Sequence, residues 1–225
     1  DKVVSHQQII LPQLGATGVS AHQVKRASGF KVIWGPVRAE DIQRFIAADN
    51  HPDDAMRQVN FSIWERTVLT PVELSHLPKP TLWVLLAVFL LSGIGTNVFS
   101  LHDAWYRGLM ALTAYAGGIL AGAVAAPILL PWIPGRAFAL KGVLTGVVAG
   151  LLVVLVFKSE LIWLETMALL LTAVGLSSFL AMNFTGSTPF TSPSGVEKEM
   201  RRAIPLQAGA VLVAIVAWVS AAFVG

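Results

Sequence analysis

"FALKGVLTGVVAGLLVVLVF", residues 138–157, decides the class of this protein. The run is close to the ~20 residues an α-helix needs to cross ~30 Å of hydrocarbon. Inside it, Gly142, Gly146 and Gly150 recur at every fourth position and share one helical face. Small residues at that spacing let helix backbones approach closely, which is the packing signal of a tight membrane bundle. "GILAG", residues 118–122, repeats the spacing with Gly118 and Gly122.

Four further apolar runs surround it, at 81–99, 106–129, 161–182 and 204–224. Together they predict an all-α, five-helix transmembrane domain over residues 81–225. The helix centres are read as uncharged. Lys158, Glu160 and Glu165 fall at one boundary, while Asn97, Thr113, Thr145 and Thr172 are neutral and suited to bonding neighbouring helices. Charge within the membrane marks ion and proton paths. Without it, the bundle reads as an anchor or scaffold.

Composition agrees with a membrane protein. Of 225 residues, 55% are hydrophobic and 13% charged, with a mean hydropathy of +0.67; soluble domains carry about a quarter charged residues. The apolar excess lies after Pro80. Net charge is +3, but no basic stripe interleaves with aromatics, so a nucleic-acid partner is not indicated. The cations instead set orientation. The segment before 81 and the loops 131–141 and 183–203 hold Lys79, Arg136, Lys141, Lys198, Arg201 and Arg202; the alternate loops hold Arg107 and Lys158. The positive-inside rule then predicts a multi-pass inner-membrane protein, with its N-terminal segment cytoplasmic and Gly225 outside.

The absence of cysteine excludes disulfides, Cys-ligated zinc and Cys-ligated iron–sulfur clusters within these residues. His6, His22, His51, His76 and His102 share no ligand spacing, and no metal site is expected among them. The chain opens at Asp1 without an initiator Met or a signal-peptide pattern. It reads as the C-terminal part of a longer protein.

Residues 1–64 follow a different rhythm. "QQIIL" (7–11) reads as a strand stopped by Pro12, and "FKVIW" (30–34) as a second strand broken by Gly35–Pro36. Between them, Ser20 and Gln23 have capping-box spacing ahead of a helix with Val19, Val24 and Ala27 on its modest apolar face. Ile42, Phe45 and Ile46 mark a second helix, with Glu40 and Asp41 in its first turn. The βαβα order predicts an α/β segment, half of a doubly wound parallel sheet. "VNFSI" (59–63) reads as an edge strand and 65–80, with three prolines, as a linker. "GATG" (15–18), between a strand and a helix, has the position of a phosphate-type loop, a short and weakly specific pattern.

The loop "NFTGSTPFTSPSGVEKEMRR" (183–202) stands apart. Its Ser194 and Glu197 predict a cap for a short helix from about Gly195, with Val196, Met200 and Ala203 facing the membrane or bundle and Lys198, Arg201 and Arg202 at head-group level. Pro205 suits the first turn of the last span. Thr185, Ser187, Thr188 and Ser194 are candidate docking residues for a ligand or for the soluble segment. No base, nucleophile or metal-ligand set accompanies them, so catalysis by this loop alone is not expected.

Two stretches carry a resemblance. "LPQLGATGVSAHQVKRASGFKVIWGPVRAEDIQRFI" (11–46) resembles the later half of the corrinoid-binding domain of the mercury-methylating corrinoid protein family. That domain is itself similar to the one in the corrinoid iron–sulfur protein of acetyl-CoA synthesis. "MNFTGSTPFTSPSGVEKEMRRAIPLQ" (182–207) resembles the segment before that family's last membrane helix, and five spans match its count and order. The resemblance implies a base-off, cobalamin-type corrinoid whose cobalt passes a methyl group to mercury(II). It also implies a small ferredoxin-like partner with 4Fe–4S clusters that restores the reduced cobalt. By the same resemblance the cradle would include Gln13, Gly15, Ala16, Thr17, Gly18, Gly35 and Pro36. The family's lower axial ligand is a cysteine on an upstream cap helix, so no catalytic residue is assigned in this chain. Two alternatives stand beside this reading: a membrane-tethered corrinoid methyl carrier for acetyl-CoA-type one-carbon metabolism, and a small permease with a cytoplasmic domain.

Overall fold

The structure, a computed structural model, describes residues 6–58, 62–96, 98–184 and 193–224. It divides into two compact units, Asp1–Phe61 and Ser62–Gly225.

In the first unit, β1 (Gln8–Leu11) and β2 (Lys31–Trp34) pair in parallel, with Gln8 opposite Lys31 and Leu11 opposite Trp34. Between them, α1 (Ala21–Ser28) starts at Ser20, whose hydroxyl accepts from the Gln23 N–H at 3.5 Å. It stops at Gly29, which adopts a φ of 78° and donates to the Lys25 carbonyl. A residue with a Cβ is strained in that left-handed cap. After β2 come α2 (Ile42–Ala47) and α3 (Asp54–Arg57), the latter capped by the Asp53 carboxylate on the Met56 N–H at 2.8 Å. Phe45 and Met56 are the unit's fully buried large apolar side chains among the described residues. Ile42 and Ile46, expected on the same apolar face as Phe45, are 46% and 58% exposed, as are Ile9 and Ile10 at 40% and 47%. Two strands have too little surface to cover these side chains.

The second unit is a helical bundle whose first helix lies where a strand and a linker were expected. Residues 59–61 of that expected strand lie outside the described residues, but Ser62 and Ile63 begin α4 (Ile63–Ser75). The Ser62 hydroxyl accepts from the Glu65 N–H at 3.3 Å, and the Glu65 carboxylate accepts from the Ser62 N–H at 2.7 Å, a complete capping box. Pro71 sits inside this helix and cannot donate to the Thr67 carbonyl. The Thr70 hydroxyl donates to that carbonyl instead, at 2.8 Å.

Next comes α5 (Pro78–Gly93), at 58° to α4. The span expected to reach residue 99 stops at Gly93, because the chain turns back through the hairpin β3 (Ile94–Gly95) and β4 (Val98–Phe99). The Phe99 ring folds over Gly93, where a Cβ would lie 2.3 Å from it. From α6 (Leu101–Ile119) the chain passes through a π-helical turn (Leu120–Ala125) into α7 (Ala126–Ile128) as one continuous rod. Then follow α8 (Phe138–Val156), α9 (Trp163–Asn183) and α10 (Pro193–Ala221). The rod, α8, α9 and α10 are long and apolar enough to cross a membrane, and α4 with α5 makes a fifth if the bent pair is one span. Pro205 lies within α10, so the expected short helix and last span are one helix.

α9 is the centre of the bundle. Gly118 of α6, Gly122 of the π-helical turn and the three glycines of α8 face it. A Cβ on Gly142 would lie 2.5 Å from the Ser177 carbonyl, one on Gly146 2.8 Å from the Val174 Cα, and one on Gly122 2.5 Å from the Ser177 carbonyl. Close backbone approach is what the fourfold spacing predicts.

Candidate functional site

Among the described residues, polar groups gather at several places, of which three are taken in turn. The first lies at the C-terminal ends of the parallel strands. The Gly35 N–H donates to the Leu11 carbonyl at 2.9 Å, which sets the segment after β2 beside the one after β1. Ligands of open α/β sheets bind at such strand ends. Gln13, Gly15, Ala16 and Thr17 form a 3-10 turn that ends at Gly18. Gly15 donates to Pro12, while Gly18 and Val19 both donate to Gly15. Those three N–H groups of the "GATG" segment and its neighbour are spent within the turn. The Thr17 hydroxyl donates to the Leu14 carbonyl at 3.3 Å. Gly35 and Pro36 are buried, and a Cβ on Gly35 would lie 3.1 Å from the Ile10 side chain. Around Gly15 there is open space, with nothing within 4 Å of an added Cβ.

The second place is a buried ion pair in the first two turns of α6 and α9, towards the helix ends rather than at the helix centres, which were read as uncharged. Arg107, counted above among the loops, lies in the second turn of α6, and Glu165 lies in the first turn of α9. Arg107 Nε donates to Glu165 Oε1 at 2.9 Å, and the two side chains are 12% and 10% exposed. The guanidinium also donates to the carbonyls of Ser92 and Trp218 and lies 4.7 Å from the Trp218 ring centroid. Trp218 in turn donates its indole N–H to the Ser92 hydroxyl at 3.0 Å. One arginine thus ties α5, α6, α9 and α10 together. Beside it opens a polar cleft of about 390 Å³, which Asp103 and Glu160 also line. A charged side chain this buried needs its partner.

The third is a line of hydroxyls across α8, α9 and α10. Ser177 donates to the Gly142 carbonyl at 2.8 Å, Ser178 to the Ala139 carbonyl at 3.0 Å, and the Gln207 amide to the Ser178 hydroxyl at 2.9 Å. Thr145 lies 3.1 Å from Ser177 and so bonds a neighbouring helix, as expected of it. Gln207 Oε1 is buried without a hydrogen-bond partner among the described residues.

Thr185, Ser187 and Thr188 lie outside the described residues. Ser194 is the second residue of α10 rather than its cap, because that helix begins at Pro193. Among the described residues, no three His, Asp or Glu side chains come together in a metal-ligand arrangement. Compared with family models, with curated proteins and with solved structures, the chain matches none.

Proposed function

We propose that this chain is the membrane-anchored portion, with part of the cofactor cradle, of a corrinoid protein that transfers a methyl group to mercury(II) and gives methylmercury. The reading rests on the resemblance of residues 11–46 and 182–207, and one observation supports it. The two stretches proposed as cradle, Gln13–Gly18 and Gly35–Pro36, lie side by side at the C-terminal ends of parallel strands. The open space at Gly15 and the exposed Leu14 fit one edge of a broad ring with an apolar face and an amide rim. They do not complete the site. With no cysteine among its 225 residues, this chain offers no thiolate ligand.

When bound, a corrinoid would supply the cobalt chemistry of methyl transfer, which suits a soft acceptor such as mercury(II). The residues of this chain hold and orient. Gln13 would hydrogen-bond a peripheral amide, and the Thr17 hydroxyl, already donating to Leu14, would accept from another. Gly35, set against β1, and the buried Pro36 would fix the second wall. The apolar helices keep the reaction at the inner membrane, and a ferredoxin-like partner with 4Fe–4S clusters returns electrons.

The test uses the protein encoded by its complete gene, produced anaerobically with a corrinoid supply and the iron–sulfur partner. Membranes given a mercury(II) salt should form methylmercury. Gln13→Ala with Thr17→Ala should weaken corrinoid retention, followed by visible absorption, and leave membrane insertion unchanged. Corrinoid retained without methylmercury would favour a carrier serving another acceptor; no corrinoid retained would end the reading. A small permease with a cytoplasmic domain draws instead on the polar cleft beside Arg107 and Glu165. Solute uptake by proteoliposomes would distinguish it.

A further inference from the structure

A wide groove of about 1210 Å³ runs between α8, α9 and α10. Its wall is apolar, with Val143, Val174, Leu206 and Ala210 along it. Its mouth is cationic. Arg136 stands at one side, just ahead of α8 and after Gly135 with its φ of 100°; Lys198 and Arg202 stand on α10 at the other.

Among the described residues these cations have no acidic partner. Glu199, the acid on this rim, is spent on the Ala139 N–H at 2.6 Å, and Glu197 pairs with Arg201 at 2.8 Å. Arg136, Lys198 and Arg202 make no ion pair among the described residues. Lys198 and Arg202 are also four residues apart on one helix, a like-charge spacing that destabilises the helix unless an anion lies between them. A free anion would answer the charges but leave the apolar wall bare. A zwitterionic lipid would bring its own cation to a cationic mouth.

We propose that this groove is a binding site for an anionic phospholipid. Its phosphate lies between Arg136, Lys198 and Arg202, and one acyl chain runs along α8 and α10. This inference is independent of the methyl-transfer reading.

Native mass spectrometry of the full chain, released from micelles containing equal phosphatidylglycerol and phosphatidylcholine, tests it. Wild type should retain phosphatidylglycerol preferentially. The R136Q/K198Q/R202Q variant changes exposed side chains only, and should lose that preference by on the order of a hundredfold, since each surface cation contributes about fivefold. A K25Q/R26Q/K31Q variant removes the same charge from the first unit and should retain the preference. Equal loss in both variants would reduce the effect to net charge and overturn the site, as would no loss in either. Displacement of the lipid by glycerophosphoglycerol, which has no acyl chains, would overturn the role of the groove.

Discussion

Arg107 on α6 and Glu165 on α9, 58 residues apart in sequence, meet at 2.9 Å inside the bundle. Removing one partner leaves the other charge buried and uncompensated, which costs about 3–5 kcal/mol; an apolar pair of similar volume is often neutral. Arg107→Met and Glu165→Leu should each lower the thermal unfolding temperature in detergent sharply, and the double variant should recover most of it. Additive losses in the double variant would show that the pair contributes little as a pair.

The glycines of α8 make a second expectation. Gly146→Leu would drive a side chain into the α9 backbone, where even a Cβ comes within 2.8 Å of Val174 Cα. Overpacking of this kind costs about 1–3 kcal/mol or more. Gly209→Ala on α10 meets open space and should be tolerated or mildly stabilising. Protease resistance of the detergent-solubilised variants would rank them, and equal behaviour would contradict the packing at α9.

A third expectation concerns Ser62. With its hydroxyl removed in Ser62→Ala, the capping box of α4 is lost at about 1 kcal/mol. Hydrogen exchange should rise in the first turn of α4 and stay unchanged in α9. Unchanged protection at Glu65 and Arg66 would show that the buried Arg66, bonded to the Ile128 carbonyl at 2.8 Å, holds that turn without the cap.

Orientation gives a fourth. Cysteines placed at Ser159 and Ser194 flank α9 and should react with an impermeant reagent from opposite faces, Ser159 from outside and Ser194 from inside. Labelling of Ser194→Cys from the outer face would reverse the topology.

The α8 packing was legible in the sequence because its signal is local: glycines four apart state their own face. Ser20 with Gln23 was legible for the same reason. The buried ion pair was not, since Arg107 and Glu165 sit at the edges of two separate runs and only tertiary packing joins them. A charge just inside an apolar run, needing a partner, was the available hint. α4 carried its signature, Ser62 followed by Glu65, but Pro71, Pro78 and Pro80 read as a linker. What rescues the helix is the Thr70 hydroxyl on the Thr67 carbonyl, a substitution of donors that no periodicity records. At the strand ends, the order of strands and turns was legible, whereas the burial of Gly35 and Pro36 came only with the register of β1 on β2.

The stripe of glycines on α8 also limits how this sequence can drift. Positions 142 and 146 press against backbone and have no room for a side chain, while Val148, Leu152 and Leu155 on the same helix are exposed and constrained only to be apolar. Divergence along α8 should therefore be lopsided, with one face frozen and the other free to exchange valine, leucine and isoleucine at random. A descendant that lost Gly142 or Gly146 would need a matching retreat in α9, at Ser177 or Val174, before the two helices could meet again.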